Sequence, residues 1–375
     1  MKNKLPIWVG ATFIAYLALF FIFQLLHKEQ DFSELENRIL ATKPIFSVET
    51  LLDGSFGNDF ETYLADQFPF RANFIALKAN SERALQKKEN NGVFLGKDGY
   101  LLQEFDAPDM ERTYRNAGYI NDLAEHFNVY MLLAPTATKV LEDKLPLFAS
   151  PYDEGQYISD FYNALSDKVH KVPVLEALQK ETSTSNQLYY KTDHHWTTLG
   201  AYYAYRSFCE TANITPTALK DFNIETVSNT FYGTLFSKGN FTFAKPDSIQ
   251  VFYPKEKENL SITYELEEKV TDTLYDFSHL ETKDKYSLFL DGNHPLIRIQ
   301  TNAQTNRKLL ILKDSYANCF IPFLTAHYDE IHIIDLRLAT FPIQTYAKEN
   351  AIDDILLLYN VQNFSAEGKF SLLLK

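Results

Sequence analysis

The stretch KLLILKDSYANCF, residues 308–320, sets a short apolar run against Asp314-Ser315 and then a helix-compatible segment. Leu309 to Leu312 carries no polar side chain, the pattern of a strand buried on both faces as in a parallel sheet. Working outward, the unit recurs. A helix is expected over Tyr316–His327, a strand over Ile331–Asp335, a helical segment over 343–350 and a strand over Ile355–Leu358. Upstream, a helix over 111–126 precedes a strand at Val129–Ala134. A helix over Gln156–His170, a short strand at Val172–Leu175 and a helix from Thr197 to Ala212 follow, with Thr197 or Thr198 as N-cap. Short strands alternating with helices predict an α/β fold on a parallel, doubly wound sheet flanked by helices.

Residues 213–306 interrupt this pattern. They are rich in Thr, Asn, Lys and aromatics without a sustained helical period, and include FYGTLFSKGNFTF and YSLFLDGNHPLIRIQT. We read them as a β-rich insertion or subdomain. NNGVFLGKDGYLL (90–102) reads as a β-hairpin, with Lys97-Asp98-Gly99 as its turn.

The N-terminus is of another kind. Leu5 to Leu26 has no charged residue, and Gln24 is its only strongly polar side chain. As a helix it would span roughly 33 Å, enough for a bilayer core. Lys2 and Lys4 precede it, so the positive-inside rule puts the N-terminus in the cytoplasm and the rest outside. FQLLHKEQDF offers no small-x-small cleavage site, which favours an uncleaved anchor over a signal peptide. The expected organisation is an anchor over 1–28, a neck and helical lead-in over 29–90, and a catalytic domain over 91–375 with its insertion at about 213–306.

Composition narrows the function. The net charge of −13 argues against nucleic acid, whose phosphates need clustered Lys and Arg. The 23 Tyr and 30 Phe could present faces to a glycan, although most should pack the core. Cys209 and Cys319 are either a disulfide or two buried thiols, and they have no metal-binding spacing.

The chemistry concentrates in YYKTDHHWTTLGAYYAY, residues 189–205. Asp193 and His195 lie two residues apart just before a predicted helix, where a carboxylate can fix the tautomer of an imidazole base. Ser315 lies at the carboxyl end of a strand, where open α/β sheets present ligands. A helix N-terminus there would add N–H donors and a positive dipole end. Taken alone, Ser315 or Asp314 could simply cap that helix, and this is the simpler reading of the residues. Asp193-His194-His195 could also be metal ligands, as in the metal-dependent phosphoesterases that carry a DHH signature; GNH around His294 is the one further hint.

The chain resembles the DHHW protein family, itself similar to the alginate O-acetyltransferase group of SGNH-hydrolase-like proteins. The resemblance rests on ENR (36–38), DQFPFR (66–71), NGVFLGKDGYL (91–101), TDHHWT (192–197), GNHPL (292–296), KDSYANCF (313–320) and YNVQNF (359–364). It implies an SGNH-hydrolase-like sheet in which Asp193 orients, His195 is the base and Ser315 the nucleophile. His194 falls at the variable position. No cofactor or metal is implied. Lys313 departs from the pattern, standing where Gly would precede Asp-Ser. Backbone N–H groups of Ser315 or Tyr316 are the expected oxyanion donors, and Asn293 or Asn360 could add an amide or equally be turn residues. Arg71 and Arg337 could meet an acidic sugar or make structural ion pairs.

The implied activity is an extracytoplasmic, serine-dependent acyl transfer or ester hydrolysis, most naturally of acetyl groups on cell-surface or exopolysaccharide glycans. A membrane-bound O-acyltransferase would supply acetyl groups outside the cell. The alternatives are a non-catalytic glycan-binding module and, behind it, a metal-dependent phosphoesterase.

Overall fold

A computed structural model describes residues 5–33, 38–184, 186–256 and 258–374. Lys2, Lys4, Glu36 and Asn37, which entered the topology and motif expectations, lie outside them. The chain divides into two compact units, residues 1–90 with 240–242, and 91–239 with 243–375.

In the first unit, helix α1 (Leu5–Leu26) is the apolar segment. Its stretch Trp8–Leu26 is long and apolar enough to cross a membrane. Helices α2 (Ser55–Asp66) and α3 (Arg71–Ala84) follow.

The second unit opens with the expected hairpin, β1 (Val93–Leu95) against β2 (Leu101–Gln103), turning through Asp98 at φ 55°. Then come α4 (Met110–Ala124), β3 (Asn128–Ala134), α5 (Glu154–Ala164), β4 (Val169–Lys171), α6 (Val174–Glu181) and α7 (Thr198–Thr211). β5 (Phe222–Phe231), α8 (Thr234–Gly239), β6 (Asp247–Pro254), β7 (Ser261–Tyr264), β8 (Lys269–Thr271) and β9 (Leu296–Gln300) occupy the insertion. β10 (Lys308–Lys313), β11 (Glu330–Ile334), α9 (Ile343–Glu349), β12 (Asp354–Asn360) and α10 (Val361–Ala366) complete the chain.

The main sheet has eight strands in the order β8-β7-β9-β11-β10-β12-β3-β4. β11, β10, β12, β3 and β4 are mutually parallel, whereas β8, β7 and β9 extend the sheet antiparallel. The fold is therefore mixed α/β. Strand alternation sorts the core: Leu309 and Ile311 pack with α7 residues on one face, and Leu310 and Leu312 with α4 and α5 residues on the other. Ser315 emerges at the carboxyl end of central β10.

Two expectations change. The helix over Tyr316–His327 does not form; two 3₁₀ turns, Ser315–Ala317 and Ile321–Leu324, take its place. Pro322 has no N–H and disfavours a helical residue before it. The helix over Gln156–His170 ends at Ala164, where Leu165 is extended, and the next strand is Val169–Lys171 rather than Val172–Leu175. Pro173 then caps α6, with φ fixed near helical values. Residues 213–306, expected to be β-rich, divide between two sheets. β5 and β6 form a two-stranded ribbon, while β7, β8 and β9 join the main sheet.

Candidate active site

The loop carrying His195 is closed on itself. Tyr189 pairs with Trp196 across an antiparallel bridge, and Tyr190 N donates to His195 O (3.2 Å). Thr197 caps α7 by accepting from Gly200 N (3.2 Å). Buried Asp247, at the start of β6, collects the donors of this loop. It accepts from Lys191 N (2.9 Å), Thr192 N (2.8 Å), Thr192 Oγ1 (2.7 Å) and Gln187 Nε2 (2.8 Å).

Asp193 Oδ1 faces His195 Nδ1 at 2.5 Å and accepts from the His195 backbone N–H at 3.0 Å. Its Oδ2 accepts from Thr234 N (2.8 Å) and Oγ1 (3.0 Å). Gly233 lies directly against this carboxylate, and a Cβ there would come within 2.3 Å of Asp193 Oδ2. His195 Nε2 then reaches Ser315 Oγ at 2.7 Å. The other face of the imidazole stacks on Tyr286, with centroids 3.8 Å apart and planes at 10°. Tyr286 OH in turn donates to Ser315 O (3.1 Å) and lies 3.2 Å from Cys319 Sγ.

On the serine side, Asp314 does the capping. Its Oδ1 accepts from Tyr316 N (2.9 Å), and its Oδ2 from Asn360 N and Asn363 Nδ2 (both 2.9 Å). Ser315 Oγ is thereby left to His195. The two segments are cross-tied, Trp196 Nε1 donating to Tyr316 O (2.9 Å) and Tyr316 OH to His194 O. Buried Lys313 donates through Nζ to Asn293 Oδ1 (2.7 Å) and Asn318 Oδ1 (2.6 Å), which is what replaces a glycine at this position.

Burial pushes the pKa of His195 down, to about 4, with the charge of neighbouring His194 acting the same way. The imidazole is thus the free base at neutral pH. Burial would raise Asp193, but His194 and His195 outweigh it and hold the carboxyl well below its usual range. Burial also opposes charge on His194, yet the Asp193 carboxylate prevails and raises its pKa. Lys313 is pushed down to about 8 by burial.

The other expected residues divide. Tyr316 N–H donates to Asp314 Oδ1, whereas Ser315 N–H has no partner among the described residues. Asn293 lies beside Lys313 with its amide oxygen turned to the ammonium. Asn360 caps α10 through Asn363 N (2.8 Å) and so is a turn residue. Arg337 makes a two-pronged ion pair with Asp335 (2.8 and 2.5 Å). Arg71 bonds Ala65 O (2.9 Å). Cys209 and Cys319 are both buried free thiols.

Asp193, His194 and His195 have ligand atoms within 4.8 Å of one another and could in principle hold a metal, but both ring nitrogens of His195 already face Asp193 and Ser315. His294 is occupied by Glu267 and by Asp291 O (both 2.9 Å). Asp276, His279 and Asp291 form a second such group, in which Lys269 Nζ already contacts both carboxylates (3.3 and 2.8 Å).

Asp247, Gly233, Thr234, Tyr286 and Asn363 escaped the sequence reading. A lone carboxylate that gathers N–H groups has no spacing signature. Only the Tyr-Gly-Thr step at 232–234, a glycine inside an aromatic run, gave any local signal.

The site thus joins, on a mixed α/β sheet, a serine at the end of a central parallel strand, an imidazole on its hydroxyl and a carboxylate behind the imidazole. The family model described as DHHW protein matches residues 115–334, more than half of the chain, and the chain belongs to that family. It is 25% identical over 272 residues to a probable alginate O-acetylase AlgJ of Pseudomonas fluorescens, a match covering 68% of this chain and 64% of that relative's length. Among solved structures, a DHHW family protein from Eubacterium siraeum has a TM-score of 0.64 at 25% identity, covering 76% of this chain and 95% of that one. Bacillus cereus PatB1, solved with a sulfonyl adduct, has a TM-score of 0.63 at 23% identity, covering 75% and 97%.

Proposed function

We propose that this chain is a membrane-anchored, extracytoplasmic SGNH-like acyltransferase that moves acetyl groups onto glycan hydroxyls through Ser315. The observation that carries this reading is the unbroken relay from Asp193 Oδ1 to His195 Nδ1 (2.5 Å) and from His195 Nε2 to Ser315 Oγ (2.7 Å). The resemblance to a probable alginate O-acetylase supports acetyl as the group and a polysaccharide as the acceptor.

In the first half-reaction Ser315 Oγ attacks the donor carbonyl carbon while its proton passes to His195 Nε2. The tetrahedral oxyanion is assigned to Ser315 N–H, with Asn293 Nδ2 as a second donor; Lys313 occupies Asn293 Oδ1 and leaves the amide nitrogen for that role. Collapse expels the donor oxygen, which takes the proton from His195. In the second half-reaction His195 accepts the proton of a sugar hydroxyl, whose oxygen attacks the acetyl-serine; collapse expels Ser315 Oγ, which takes that proton back from His195. Asp193 holds the imidazole by Nδ1 and stabilises its transient charge. Water in place of the sugar would make the same site an esterase.

Helix α1 supports the anchor reading, and an extracytoplasmic site requires an acetyl donor delivered through the membrane, the role of a membrane-bound O-acyltransferase partner. The test is to supply the purified chain with a simple acetyl ester and then add an oligosaccharide. The reading expects acetate release in water and acetylated sugar, at the expense of acetate, once acceptor is present. Neither product from well-folded protein would reject it. No turnover by the parent chain, with glycan binding unchanged in Ser315→Ala, would point to the non-catalytic module instead.

A further inference from the structure

Residues 68–77, FPFRANFIAL, overlap the DQFPFR motif and take no part in the site above. They are fastened to α1 by Gln67. Its carbonyl accepts from Gln24 Nε2 (3.2 Å), its Oε1 accepts from Gln30 N (3.0 Å), and its Nε2 donates to Gln30 O (2.9 Å) and Ala41 O (3.1 Å). Asp66 beside it pairs with Arg38 through two bonds of 2.8 and 2.5 Å. Past this polar knot, phenylalanines take over. Phe68 stacks on Phe20 at 5.6 Å and 6°, Phe74 lies 6.0 Å from the same ring, and Phe70 meets Phe23 edge-on at 5.6 Å.

Phe20 is six residues before the Leu26 end of α1, about 9 Å of helix rise inside the apolar segment. Any ring packed sideways on Phe20 is carried to that depth. These side chains are nevertheless open: Phe68 is 39%, Phe70 55%, Phe74 42% and neighbouring Leu77 61% exposed. An apolar patch of this kind is unfavourable in water and marks a contact surface. From Lys78 the same helix becomes polar and charged, as KANSERA, and LQKK follows its end. The turn into it places Phe70 at φ 62°, a left-handed backbone that bulky residues rarely adopt. That strained turn brings Phe68 and Phe70 onto α1 together.

We propose that residues 68–77 form a second, shallow membrane contact, with Phe68, Phe70, Phe74 and Leu77 seated among lipid chains beside α1 where the polypeptide leaves the bilayer. The inference rests on α1 spanning the membrane, because the depth of Phe20 sets the depth of its neighbours. The polar knot at Asp66 and Gln67 then lies at headgroup level, where aromatic and polar groups are favoured together.

The test uses the full-length chain in phosphatidylcholine vesicles whose acyl chains are brominated at a shallow or a deep carbon. Trp8, in α1, reports whether that helix is embedded, and buried Trp196 contributes a constant background. Phe74→Trp in a Trp8→Phe background reports the segment, with Phe70→Trp as a second position. The expected result is loss of most of the introduced indole emission with shallow bromines, a smaller loss with deep ones, and quenching of Trp8 in the parent protein. Quenched Trp8 with an unquenched indole at both segment positions overturns the inference and leaves the anchor reading standing. If that indole is also blue-shifted, the face is covered by protein rather than lipid. Unquenched Trp8 overturns the anchor reading and this inference with it.

Discussion

The two sides of the candidate site are held by different parts of the molecule. Ser315 is supported from within the parallel sheet: Asp314 gathers Asn360 N and Asn363 Nδ2, from the end of β12 and the start of α10. His195 is supported from the insertion, by Thr234 on Asp193 and by Asp247 on residues 191 and 192. Asp314 and Asp247 do the same job, each collecting backbone N–H groups, and burial raises the pKa of both. Asp193 also takes two backbone N–H groups but faces two imidazoles besides, and is driven the other way. The scaffold thus fixes Ser315, the proposed nucleophile, while the insertion fixes His195, the proposed base. The insertion is half of the site rather than an ornament on it.

The base side should fail most severely at its carboxylate. Asp193→Asn keeps the shape but removes the charge that fixes the His195 tautomer, so acetyl transfer should fall about 10⁴-fold with little change in melting temperature. Steady-state kinetics with an acetyl ester would show this, and a loss under tenfold would detach Asp193 from the mechanism. Gly233→Ala is the next strongest probe. Its Cβ would fall 2.2 Å from Asp193 Cβ, so the loop must shift. We expect a loss of about 1–3 kcal/mol in denaturant unfolding and about 10² in rate, since small misplacements cost that much. Wild-type activity in this variant would show that the insertion does not position the base.

Asp247→Asn should act more gently. Either orientation of the new amide leaves a buried backbone N–H without its acceptor, costing about 1–3 kcal/mol, while kcat/KM should drop less than in Gly233→Ala. An effect on activity alone, with no stability loss, would contradict a supporting role.

The smallest expected effect is in pH dependence, where the adjacent histidines have opposite signs. His195 has a folded pKa lowered from 6.5 to about 4, so its unfolded form takes up a proton first. Stability associated with it is intact above 6.5 and is lost as pH falls toward 4. His194 has a raised pKa, so its contribution is full below 6.5 and is lost as pH rises through the folded value. The acid limb of kcat/KM should accordingly lie nearer 4 than 6.5. A limb at 6.5 would mean that His195 is solvated like a free imidazole.

The same division explains what could be read from the sequence. β3, β10, β11 and β12 were legible because strands buried on both faces are continuous apolar runs, as in LLILK and ILLLY. Asp193, His195 and Ser315 were legible as chemistry, although nothing in their 120-residue separation told that His195 reaches Ser315. The support on the base side was hidden. Asp247 and Thr234 act over 55 and 41 residues through backbone donors, which impose no pattern on side chains. The segment after Ser315 looked helical by composition, and the local effect of Pro322 and tight aromatic packing decided otherwise.

The most direct test of the central claim is to find the acetyl group on the protein. The chain is mixed with an acetyl ester, quenched in acid during turnover, digested and mapped by mass. One acetyl is expected on the peptide containing Ser315, absent in Ser315→Ala and His195→Ala, and discharged when an oligosaccharide is added before the quench. Turnover that continues with Ser315 unmodified, or in Ser315→Ala, would contradict the claim.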